Sequence, residues 1–205
     1  MHGHVVRADK GDAKAQDILG TQFAQGKTIA RNDAQAVVWF RKAADQGSAD
    51  GQNDLGVMYF RGRGVAKDYT QAAGWFAKAA AQNHPAAESS LGMSYANGFG
   101  VARDPKQAFD WFSKAADKGN IDAELGLGDL YLAGQGVKRD DARAATWLRK
   151  AADAGSARGQ RRLAALYRAG RGVPKDLKTA ALWEAKAATP AVAPPPAATP
   201  RPTKP

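Results

Sequence analysis

One pattern of apolar and polar positions recurs five times along the chain at a period of 36, over residues 11–46, 47–82, 83–118, 119–154 and 155–190. All five tryptophans, Trp39, Trp75, Trp111, Trp147 and Trp183, hold the same place in it. In the first half of each unit a small residue, a leucine and an aromatic residue stand at i, i+4 and i+8. Ala15, Leu19 and Phe23 form the first such set, and Gly51, Leu55, Tyr59 and Ala87, Leu91, Tyr95 the next two. That spacing lines one face of a helix. The second half carries a second helical set, Ala36, Trp39, Phe40, Ala43 and Ala44 in the first unit, with counterparts further on. No stretch alternates with period two, so no strand is predicted.

Local signals bound these helices. Gly62-Arg63-Gly64-Val65, Gly98-Phe99-Gly100-Val101, Gly134-Gln135-Gly136-Val137 and Gly170-Arg171-Gly172-Val173 end the first helix of units two to five. Glycine at a helix C-cap supplies the left-handed conformation needed there. A phosphate loop is disfavoured, because no strand precedes the glycines and the next helix does not begin on them. Asn32, Asp68, Asp104, Asp140 and Asp176 are predicted N-caps of the second helices, and Pro105 fits the first helical position. The second helices should end at Gly47, Asn83, Gly119 and Gly155. Gly20, Gly56, Gly92 and Gly128 lie inside the first helices, at about 1 kcal/mol of lost helix propensity each. Their recurrence predicts a neighbour too close to admit a side chain.

One helix pair cannot cover its own apolar face, whereas stacked pairs can. The expected fold is all-α: a right-handed α-α superhelix, or solenoid, of five 36-residue helix pairs. Residues 1–10 form an N-terminal remnant or cap, since Ala8-Asp9-Lys10-Gly11 repeats Ala116-Asp117-Lys118-Gly119 at the end of a second helix. Residues 191–205, rich in Pro and Ala, are expected to be a disordered tail.

The pattern A-x3-L-G-x2-Y-x2-G-x-G-V-x2-D-x3-A-x2-W-F-x-K-A-A, nearly complete at Ala87–Ala116, resembles the Sel-one-like repeat family, a branch of the tetratricopeptide-like solenoids. The resemblance implies a scaffold or adaptor that binds a protein or peptide, often in bacterial signalling or envelope settings. Some cysteine-rich relatives have been linked to penicillin binding or β-lactamase activity, and this chain has no cysteine. The enzymatic alternative is therefore disfavoured.

Candidate binding residues come from the first-helix face opposite the Ala/Leu/aromatic set, which solenoids of this type present on their concave side. Its columns hold Asp17, Thr21, Ala24; Asn53, Val57, Phe60; Ser89, Met93, Ala96; Leu125, Asp129, Leu132; and Arg161, Ala165, Arg168. They vary between units while the core columns do not. Val57, Phe60, Met93, Leu125 and Leu132 form an apolar strip and, with Asp129, the candidate groove; the alternative is that several pack against the adjacent unit. The net charge of +10 is concentrated in the last unit and the tail, which carry +8 of it. Arg158, Arg161, Arg162 and Arg168 form a candidate basic patch for an acidic protein, an anionic surface or nucleic acid, or else a solvated end cap. Only Tyr167 interleaves with these arginines, which argues against a base-stacking platform and against a nucleic-acid partner.

Little points to catalysis or to a cofactor. His2 and His4 sit at the start of the chain and His84 in a turn before Pro85, and no zinc-ligand cluster or nucleophile elbow occurs, so no metal or cofactor is expected. No apolar run approaches the roughly 20 residues that cross a bilayer. MHGHVVRADK lacks a signal-peptide core, which points to the cytoplasm; a chain that begins inside a longer protein leaves the periplasm or secretion open. A monomer is the default expectation.

Overall fold

A computed structural model describes residues 2–189, with side chains described from Val5 onward. The expected disordered tail, 191–205, and the side chains of His2 and His4 lie outside the described residues. Eleven helices follow one another with no strand among the described residues. They are α1 (His2–Asp9), α2 (Ala13–Gln25), α3 (Asp33–Asp45), α4 (Ala49–Arg61), α5 (Tyr69–Ala80), α6 (Pro85–Asn97), α7 (Pro105–Asp117), α8 (Ile121–Ala133), α9 (Asp141–Asp153), α10 (Ala157–Ala169) and α11 (Leu177–Ala188). Helices α2/α3 through α10/α11 are the five pairs. Each helix packs on its neighbours in chain order, and α1 packs on α2 as the second helix of a preceding unit would. First helices also approach one another across the stack, α2 against α4 and α6 against α8, with no second-helix pair in comparable contact. The first helices therefore line the inner side of the curve.

Capping sets the helix ends. Asn32, Asp68, Asp104, Asp140 and Asp176 each accept a backbone N–H from the first turn of the helix they precede. Gly62, Gly98, Gly134 and Gly170 close the first helices with positive φ. Asn83 is the one non-glycine residue with positive φ among those described, as its place at the end of α5 predicts.

The glycines inside the first helices make room for the second helix of their own pair. A Cβ on Gly20, Gly56 or Gly92 would stand 2.6–2.7 Å from the ring of Phe40, Phe76 or Phe112, and one on Gly128 2.7 Å from Leu148. In the fifth pair the second-helix residue is the exposed Glu184, and there the first helix carries Ala164 instead of glycine.

The joints between pairs are built from repeated contacts. Gln16, Gln52 and Gln160 donate across the joint to the Ala8, Ala44 and Ala152 carbonyls. The second glycine of each loop sits on the start of the preceding second helix: a Cβ on Gly64, Gly100, Gly136 or Gly172 would fall within 1.9–2.1 Å of the Asp33, Tyr69, Pro105 or Asp141 carbonyl oxygen. At three of the four loops the residue before that glycine is matched to the residue 30 positions earlier on the preceding unit. Arg63 pairs with Asp33 at 2.6 Å and Arg171 with Asp141 at 3.1 Å, while Phe99 stacks on Tyr69 with ring centroids 5.0 Å apart. Tryptophans join the core of the previous unit, as Trp75 shares a buried cluster with Ala36, Val37, Phe40 and Ala44. The lysine three residues after each tryptophan lies over its ring at 3.8–4.3 Å, so these lysines cover the indoles as well as meeting solvent.

Candidate protein-binding groove

A groove of about 560 Å³ runs along the inner face from α4 to α10. Its walls are Asn53, Val57 and Arg61 of α4, Ser89, Met93 and Asn97 of α6, Asp122 and Asp129 of α8 and Arg158 of α10. Phe112 and Leu130 form the floor, both buried. The depth comes from small side chains. Ala86, Ser89, Ser90 and Gly126 line it, and a Cβ on Gly126 would stand 2.7 Å from the Phe112 ring. Gly126 therefore both admits that ring beneath the groove and leaves a hollow above it.

Of the residues expected in the groove, Val57, Met93 and Asp129 line it. Leu125 does not: it is 2% exposed and packs against Ala145, Leu148 and Leu166 of the following helices. Leu132 is half-buried against the same cluster. Phe60 is half-buried among Tyr69, Phe76 and Phe99, with ring centroids 5.1–6.5 Å away. Leu125, Leu132 and Phe60 are corrections to the sequence reading and have one cause. The second helix of the same pair, through Ala145 and Leu148 at Leu125 and through Tyr69 and Phe76 at Phe60, covers that flank together with Leu166 and Phe99 of the following unit, so the open face is rotated by about 60° at 100° per residue. Arg61, Ser90, Asn97 and Gly126 lie on the open side and were missed for the same reason.

The two ends of the inner face differ in charge. At the basic end Arg158 and Arg162 both reach Asp129, the former at 3.7 Å, and Arg168 pairs with Glu184 at 2.6 Å, so the arginine patch is in good part neutralised. Arg161 is exposed. At the opposite end Asp17 of α2 faces Asp54 and Asp50 of α4. Burial, then those two carboxylates, push the Asp17 pKa up to about 7. Asp54 is also raised, mainly by burial, against the lowering effect of a hydrogen bond from Asn53. Asp50 meets the His84 ring at 3.1 Å, and the other ring nitrogen of His84 caps α6 by accepting from Ala87.

Sel1 repeat matches cover residues 13–48, 49–84, 85–120, 121–156 and 157–189. The chain belongs to the Sel1 repeat family. Its matched units begin two residues after the 36-residue blocks read from the tryptophans, at the first-helix starts. A Sel1 repeat protein from Oxalobacter formigenes is 35% identical with a TM-score of 0.80, over 86% of this chain and 70% of that one. The protective antigen c5321 of uropathogenic Escherichia coli, which displays an SLR fold, is 39% identical with a TM-score of 0.79, over 88% of this chain. The chain spans 39% of that antigen's length. A sel1 repeat protein from Klebsiella pneumoniae, 23% identical with a TM-score of 0.61 and 88% of each chain covered, shares the fold. No functionally curated protein shows significant similarity to the chain. Sel1 repeat proteins act in general as non-enzymatic scaffolds that bind other proteins. No helix among the described residues is long and apolar enough to cross a membrane.

Proposed function

We propose that this chain is an interaction scaffold that holds an extended peptide segment of a partner protein in the groove along α4, α6, α8 and α10. The observation that carries the reading is the contrast between lining and core. The groove walls change from unit to unit, from Val57 to Met93 to Asp129, while the leucines behind them repeat. A surface needed only for folding would repeat with the core. The groove is concave and mixed in polarity, with Val57 and Met93 for apolar contact and Asn97 and Gln135 for backbone hydrogen bonds. About twelve extended residues reach roughly 40 Å, enough to follow several stacked helices.

The test is a random peptide library panned on the wild-type protein and then on the Met93→Glu variant. Enriched peptides should bind the wild type and lose at least about tenfold to the variant, a difference of about 1.4 kcal/mol. Enrichment of peptides that bind both proteins equally would place the partner surface elsewhere.

A further inference from the structure

At the Asp17 end of the inner face, hydrogen-bond acceptors outnumber donors. Asn53 is 8% exposed, lines the groove and spends its amide N–H on Asp54 Oδ1 at 3.0 Å. Its own Oδ1 is buried with no hydrogen-bond partner, and so is Oδ1 of Asp17. A buried acceptor without a donor costs roughly 1–3 kcal/mol, and here there are two, with the Asp54 carboxylate acting on Asp17; of these residues Asn53 is the one in the groove lining. No Lys or Arg among the described residues forms a salt bridge with Asp17 or Asp54. The buried Glu88, at the joint position held by Gln16, Gln52 and Gln160 in other units, is by contrast met by Lys118 at 2.6 Å.

We propose, resting on the groove reading above, that this end is a cation seat: Asp17, Asp54 and the Asn53 side-chain carbonyl take the guanidinium or ammonium group of an Arg or Lys in the bound peptide. Such a group supplies several N–H donors to the orphaned oxygens and neutralises the like-charged pair at once. The surplus positive charge lies mostly in the last unit and the tail and disfavours a cationic peptide there, so its selective capture reports a local acidic site. Burial and then Asp54 and Asp50 of α4 raise Asp17, while Asp54 is raised by burial and Asp50 and lowered by Asn53 and by His84 before α6, so Asp17 ionises fully only above neutral pH.

The experiment compares two fluorescein-labelled extended peptides of about twelve residues, identical except that one carries Lys-Arg where the other carries Gln-Gln. Fluorescence anisotropy is read between pH 5.5 and 8 with the wild type, the Asp17→Asn/Asp54→Asn double variant and Met93→Glu. The wild type should bind the cationic peptide at least about tenfold tighter than its glutamine twin at pH 8, and the preference should shrink toward pH 5.5. The double variant, whose circular dichroism checks its fold, should lose the preference. Equal binding of both peptides by the wild type, with both weakened by Met93→Glu, would overturn the cation seat and leave the groove intact. No binding of either peptide would overturn both.

Discussion

Gly64 meets two demands at once, a φ of +66° and a Cβ position only 2.1 Å from the Asp33 carbonyl oxygen. Gly47 meets the first alone, with φ +88° and open space around it. Gly64→Ala should therefore cost about 2–5 kcal/mol, left-handed strain plus a backbone clash, and Gly47→Ala about 1–2 kcal/mol. Denaturant titration of the two variants checks this; equal losses would mean that the joint yields. The helix caps and the left-handed conformation of these glycines were legible in the sequence because each acts through its own backbone, whereas the approach of Gly64 to Asp33 follows from the stacking. Asp17 was legible only as a variable surface position, because its raised pKa depends on Asp54 and Asp50 of the next unit. The sign of its effect follows from that rise. The unfolded carboxyl titrates near 3.8 and the folded one near 7, so the folded state holds the extra proton between them. Its contribution to stability is present below about pH 4 and is lost as pH rises toward 7. Asp17→Asn should flatten that part of the curve, raising the melting temperature more at pH 7.5 than at pH 5; an identical shift at both would remove Asp17 from the account.

Among the elements, each first helix divides its surface three ways: toward its own partner helix, toward the neighbouring units, and toward the groove. Periodicity reported the first of these correctly, since Leu19, Leu55, Leu91, Leu127 and Leu163 are all buried. It could not separate the other two. A helical wheel shows which face is apolar, whereas the placement of the second helix and of the next unit decides which flank is covered. Leu125 and Phe60 fell on that flank. Phe60→Ser should accordingly destabilise the fold by about 2 kcal/mol or more, and Met93→Ser by less than about 1 kcal/mol. Thermal unfolding of the two variants separates core from groove, and a reversed order would return Phe60 to the binding surface. The joint pairs make a similar point. Arg63 with Asp33 and Phe99 with Tyr69 are visible in the sequence only once the offset of 30 residues is known, and that offset comes from the stacking.

For the whole molecule, stacking without a separate centre means that each pair is held by its neighbours. Amide exchange should be slowest in α4 to α9, which have units on both sides, and faster in α1 and α11. Uniform protection from end to end would signal a single cooperative core instead. The same stack aligns the first helices into one inner face, acidic where α2 meets α4, open and mixed along α6 and α8, and arginine-rich at α10. Whether that face is where a partner binds is read most directly from the amide chemical shifts of the 15N-labelled chain on addition of a groove-selected peptide. The account predicts shifts concentrated in α4, α6 and α8, around Asn53, Val57, Met93 and Asp129. Shifts confined to α3, α5, α7 and α9, on the outer helices, would contradict it.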